Sequence, residues 1–236
     1  LVAQMLAHLR VHQALDHRLL KRQEQILRFR RRHWPLNQLL DQLRRYRRQW
    51  TALGGQLDGP AETAVVDLEA LLAATARLGP LEPRIAEIAL AWIIRHGSAV
   101  NGARLRTVTS ELDVADETAA LARAVRRAGG PPWPLAHRGG AEGLWDGIAA
   151  RSGLVVVRDL AAPARLVWRL RAGFGVNARA DVLAALLVAP SPCSIADLAA
   201  RTRFGKRTVA GAVADMALAG LAEVERTGNA DRVRLA

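Results

Sequence analysis

The 236-residue sequence predicts a mainly α protein, with an N-terminal helical domain and a C-terminal module of three helices closed by a small β-hairpin. Three observations predict it. Ala, Leu and Arg dominate while only 4% of residues are aromatic, and those three residues stand near the top of intrinsic helix propensity. Apolar residues recur at steps of three and four in one segment after another. The last sixty residues add two alternating stretches on either side of Thr227, Gly228 and Asn229. Half of the residues are hydrophobic and 24% are charged, which is the profile of a chain that buries a core rather than of a disordered tail. The length suits two ordinary domains that need no metal or disulfide to hold them.

Leu1, Met5, Leu9, Leu15 and Leu19 mark a first helical segment, which the run Arg28, Arg30, Arg31, Arg32 closes. Leu36, Leu39, Leu40, Leu43, Tyr46 and Trp50 then form one face of an amphipathic helix, with Pro35 suited to its first turn. Asp41, Arg44, Arg45, Arg47 and Arg48 occupy the other face. Arg30, Arg31, Arg32, Arg44, Arg45, Arg47 and Arg48 are thus a candidate basic surface, evenly balanced against the solvated face of a packed helix. Gly54, Gly55, Gly59 and Pro60 make a loop, and helices follow over 62–78 and 84–96. In the second of these, Ile85, Ile88, Ala89, Trp92 and Ile93 have core spacing, so Trp92 is a core filler rather than a platform for stacked bases. One helix ends near Asp113 and another starts near Asp116. Gly129, Gly130, Pro131, Pro132, Pro134, Gly139 and Gly140 mark a linker. The expected organisation is a helical domain over 1–140, a connector over 141–176 and the C-terminal module over 177–236. Two apolar runs of the connector, 154–160 and 166–170, bracket Pro163 and suit short strands or helix starts equally.

The formal charge of +12 comes almost wholly from arginine, since Lys21 and Lys206 are the only lysines. A GC-rich bacterial coding bias accounts for the Arg-to-Lys ratio but not for the surplus, which predicts attraction to a polyanion. That surplus is uneven. Residues 1–59 hold twelve Arg or Lys against four acids, whereas 177–236 hold eight against six.

The C-terminal module carries the most specific pattern. A first helix over 178–188 is apolar nearly all round, and Pro190 and Pro192 follow its end. Ser194 N-caps a short second helix, with Asp197 completing a capping box and Ile195, Leu198, Ala199 and Thr202 facing inward. A tight turn at Arg203, Phe204 and Gly205 leads to a third helix over 206–219. Spacing of about 100° per residue puts Val209, Val213 and Met216 on its buried side and Arg207, Gly211, Ala214 and Leu218 opposite. A glycine on an exposed helix face costs stability, roughly 1 kcal/mol, and suits the close approach of something large. After Gly220, Leu221 to Glu225 and Arg232 to Leu235 alternate as two strands of a hairpin, with Arg226 and Arg232 at or beside its tip.

The stretches RADVLAALL, SIADLAARTRFGKRTVAGAVADMALAGLAEVER and RVRLA resemble the winged helix-turn-helix of MarR-like and ArsR-like bacterial transcriptional regulators, over about a quarter of the chain. The resemblance implies that the third helix is the recognition helix of a DNA-binding transcription regulator. It implies DNA-facing roles for Lys206, Arg207, Thr208 and Gly211, and hairpin contacts for Arg226, Asn229 and Arg232; Arg203, in the turn before the third helix, is a further DNA-binding candidate. Arg203 departs from the pattern by standing where a turn glycine is common, and Gly205 by standing where a capping Ser is usual. Residues 107–130 bear a fainter likeness to the same helix pair.

Catalytic and cofactor patterns are missing: there is no HExxH, GxSxG, GxxxxGK[ST] or CxxC, and no acid–base pair stands out. No catalytic residue, cofactor or metal is expected. His8, His12 and Asp16 would align on a helix, but surface histidines are the commoner reading. A single cysteine, Cys193, allows no intrachain disulfide and fits a reducing, cytoplasmic setting. The longest strongly apolar stretch, 88–94, is far below the roughly 20 residues of a membrane-spanning helix, and no signal-peptide pattern opens the chain at Leu1. The leading expectation is a non-enzymatic regulator that binds double-stranded DNA as a homodimer, its N-terminal domain dimerising, sensing an effector or holding a protein partner. The alternatives are an interaction protein whose Arg-rich N-terminal helices bind RNA, an anionic membrane or an acidic partner, and a noncatalytic subunit of a larger assembly.

Overall fold

A computed structural model describes residues 36–133, 143–227 and 230–236. They are mainly helical, with a small three-stranded antiparallel sheet near the C-terminus. Two compact units result, one ending at Arg45 and the other running from Tyr46 to Ala236. The first described helix, α1 (Leu36–Ala52), bears the amphipathic stripe, which becomes more buried toward its C-terminal end: Leu40 is exposed, Tyr46 half-buried and Trp50 fully buried. Trp50 Nε1 donates to Thr75 Oγ1 at 3.0 Å, so its polar edge is satisfied inside the core.

Helix α2 (Leu68–Leu78) begins later than the spacing predicts, because the Asp67 carboxylate caps it by accepting from the Ala70 amide. The residues before it are not helical, and the Val66 N–H donates to the Ala164 carbonyl at 3.0 Å. Helix α3 (Pro83–His96) has proline in its first turn and buries Ile85, Ile88, Ala89, Trp92 and Ile93. Asn101 caps α4 (Gly102–Glu111), and a turn through Asp113 leads to α5 (Ala115–Arg127). The two apolar runs of the connector stretch divide. Leu166–Phe174 is helix α6, whereas residues 155–157 are extended, held by a bridge between Val155 and Gly55. Gly54, at φ +99°, lets that strand pass, since a Cβ there would meet the Val156 carbonyl oxygen at 2.6 Å. The core of these elements includes Trp50, Leu72, Ile88, Trp92, Leu121 and Trp168, with Trp145, Val155 and Ala164 from the stretch after residue 140. Trp92 sits edge-on to Trp50 and Trp168, with ring centroids 6.0 and 5.1 Å away.

The C-terminal elements have their own core. Asn177 caps α7 (Ala178–Leu187), and β1 (Cys193–Ser194), α8 (Ile195–Thr202), α9 (Lys206–Leu218), β2 (Ala222–Thr227) and β3 (Ala230–Leu235) follow. The sheet order is β1-β3-β2, antiparallel throughout, with Val224 opposite Val233 and Cys193 opposite the same Val233 from the other side. Strand β1 is too short to show a period, and nothing in the sequence announced it. Val182, Leu186, Leu198, Val209, Val213, Met216 and Val233 fill this core.

A buried ion network ties α7 and α8 to the helices before them. All the donors of Arg171, in α6, are used: on Asp181 at 2.8 Å twice, on Glu69 at 2.6 and 3.0 Å, and on the Ala99 carbonyl at 2.8 Å. Arg104, in α4, reaches Asp67 at 2.7 and 2.5 Å and also Glu69. Burial pushes the Asp181 carboxyl up, and the Arg171 hydrogen bonds offset this only in part. Burial acts on Asp67 in the same sense, but the hydrogen bonds and charge of Arg104 outweigh it and hold that carboxyl below its ordinary value.

Candidate nucleic-acid interface

Local chemistry fixes the approach to α9. The Ser194 hydroxyl accepts from the Asp197 amide at 3.1 Å, and the Ser194 amide donates to the Asp197 carboxylate at 3.1 Å, so α8 starts with a complete capping box. The same hydroxyl and amide hold the exposed Asp197 carboxyl below its usual range. Helix α8 ends at Thr202, whose hydroxyl turns back to the Leu198 carbonyl at 2.7 Å. Arg203 then takes a left-handed backbone, φ +57°, which among the described non-glycine residues only Asp113 shares. The turn is therefore made without the usual glycine. Gly205 is the N-cap of α9 and offers no side-chain oxygen to its first turn.

Helix α9 has two distinct faces. Val209, Ala212, Val213 and Met216 are buried, while Lys206, Arg207, Thr208, Gly211, Ala214, Asp215 and Leu218 are exposed. A Cβ built on Gly211 meets nothing within 4 Å, so no packing inside the chain requires a glycine there.

The predicted site residues differ sharply in how free they are. Lys206, Arg207 and Arg226 are exposed and form no ion pair with any described residue. Thr208 and Gly211 lie on the same exposed face of α9 as Lys206 and Arg207. Arg203 is half-buried and paired with Glu111 at the end of α4, and Arg232 stands 3.9 Å from the Asp197 carboxylate. Asn229 lies outside the described residues. Arg201, which the sequence reading passed over, is exposed on the last turn of α8 and forms no ion pair with another described residue. The helical spacing that turned Leu198 and Thr202 inward would have pointed Arg201 outward.

On the candidate N-terminal basic surface, Arg44 pairs with Asp41 at 3.2 Å, Arg47 with Glu82 at 3.3 Å and Arg48 with Glu62 at 3.8 Å. Arg45 is exposed and pairs with no carboxylate among the described residues. Arg30, Arg31, Arg32 and the His8, His12, Asp16 arrangement lie outside the described residues.

The first turn of α5 is acidic where that of α9 is basic. Asp116 and Glu117 occupy the first turn of α5, Glu117 pairs with Arg77, and the helix is buried through Thr118 to Ala122. The basic residues of that helix stand in its last turn, where Arg126 and Arg127 are exposed and Arg127 pairs with Asp146 at 2.8 Å. Among the described residues, no group of His, Cys, Asp and Glu could hold a metal ion, and no helix is long and apolar enough to cross a membrane. No family model, curated protein or solved structure matches the chain.

Proposed function

We propose that residues 177–236 form a winged helix that binds duplex DNA, and that the protein is a non-enzymatic transcriptional regulator. The observation that carries this reading is the exposed face of α9, where two cations unpaired among the described residues, Lys206 and Arg207, precede Thr208 and a glycine with empty space over it. A face poor in side chains lets a helix axis settle into the major groove, about 12 Å wide, while the basic first turn reaches phosphates and base edges. Arg226, beside the tip of the β2–β3 hairpin, supplies a cation for a flanking phosphate or the minor groove. The order helix, short strand, helix, helix, hairpin supports the likeness to MarR-like and ArsR-like regulators. A pair of such modules in a homodimer would read half-sites about 34–36 Å apart. In this reading the protein acts in the cytoplasm.

Titration of fluorescent duplex DNA at several salt concentrations tests the reading, because phosphate neutralisation makes affinity fall steeply with salt. The combined Lys206→Ala and Arg207→Ala substitution is expected to lower affinity at least tenfold, and Arg44→Ala with Arg45→Ala to leave it within twofold. The reverse ranking would move the interface to the N-terminal helices, and salt-independent binding would remove it from DNA phosphates altogether.

A further inference from the structure

The turn that delivers α9 is held from outside its own module. The carbonyl of Thr202, the last residue of α8, would be one of the unpartnered acceptors at a helix end. Arg104 Nε donates to it at 2.7 Å, and the same guanidinium is pinned by Asp67 and Glu69, so the carbonyl is anchored through α4 to α2. The next residue, Arg203, is the one in the left-handed conformation, which a side chain with a Cβ keeps only where its surroundings dictate it. Its guanidinium is taken by Glu111, at the other end of α4. One helix thus grips two consecutive residues of the turn, the first by its carbonyl and the second by its charge.

We propose that α4 sets the presentation of α9, with Arg104 as a positioning residue for the α8–α9 turn and Glu111 as a mask that withholds Arg203 from a bound polyanion. This rests on the DNA-binding reading above. Arg203 lies just before Lys206 and Arg207, so it would otherwise be a third cation at the start of the interface. Paired with Glu111 it contributes no net charge, and Glu111, 44% exposed, opposes an approaching phosphate. Binding with Arg203 engaged requires that phosphate displace the carboxylate. Anything that drew Glu111 away would add one phosphate contact without remodelling α9.

Glu111→Gln tests the mask at an exposed position that disturbs no core. Affinity for duplex DNA should rise several-fold, and the slope of log affinity against log salt should steepen by about 0.9, the value of one added phosphate contact. Adding Arg203→Ala should abolish both changes. Arg104→Lys keeps the charge but loses the fork that spans Thr202, Asp67 and Glu69. At a temperature where circular dichroism shows it folded, it should bind at least fivefold more weakly with the salt slope unchanged. Wild-type binding with an unaltered slope in Glu111→Gln overturns the mask, and unaltered affinity in folded Arg104→Lys overturns the positioning role. Failure of both wild type and Glu111→Gln to bind duplex DNA at low salt overturns the DNA-binding reading, and this inference with it.

Discussion

Gly211 separates what the fold needs from what a partner needs. It sits inside a helix, on an exposed face, with open space where a side chain would be. Stability alone would favour alanine, which is better in a helix interior by roughly 0.5–1 kcal/mol. Gly211→Ala is therefore expected to raise the unfolding free energy by about that amount in urea titration while weakening DNA binding, because the added methyl group stands where the groove floor would come. A gain in stability with unchanged affinity would detach the glycine from the interface. The cations of the same module behave less uniformly than their spacing implies. Whether an arginine is available depends on its partner, and the partners of Arg203 and Arg232 are Glu111 and Asp197, both far from them in sequence. Lys206, Arg207 and Arg226 are exposed, as their spacing implied, but spacing has no means of revealing these pairings.

Elements whose signals are local were legible. The Ser194 and Asp197 capping box starts α8, and the 100° spacing of Val209, Val213 and Met216 orients α9, because each depends on residues within a turn or two. Elements defined by distant partners were not. Strand β1 exists because Cys193 and Ser194 meet β3, and in the non-helical segment before α2 the Val66 amide is taken by the distant Ala164 carbonyl. Helix α3 carries a consequence of its packing that can be measured. Burial, and then the neighbouring charge of Arg95, hold the His96 imidazole below its ordinary value, and its Nε2 is buried without a hydrogen-bond partner. The unfolded chain takes up a proton there at a pH where the folded chain does not, so stability falls as pH drops through the ordinary histidine range. The melting temperature should decline between about pH 7 and pH 5, and His96→Phe should flatten that decline. An equal decline in the variant would assign the titration to another group.

For the molecule as a whole, charge and architecture point to different places. Residues 1–59 hold most of the basic surplus, yet three of the four arginines described there, Arg44, Arg47 and Arg48, already face carboxylates. The C-terminal module has little net charge but exposes Lys206, Arg207 and Arg226, which pair with no carboxylate among the described residues. The fully satisfied Arg171, bridging Glu69 and Asp181, makes that module continuous with α2 and α6. Removing one member of such a buried network leaves an uncompensated charge, and here the network holds α7 to α6 and α2. The central claim is that the exposed face of α9 meets DNA. Ala214 lies on that face, one turn beyond Gly211, and Arg44 lies on α1. With Cys193 replaced by alanine, the alkylation rates of Ala214→Cys and Arg44→Cys can be compared with and without saturating duplex DNA. Strong protection by DNA in Ala214→Cys with none in Arg44→Cys is the predicted result, and protection confined to Arg44→Cys would contradict it.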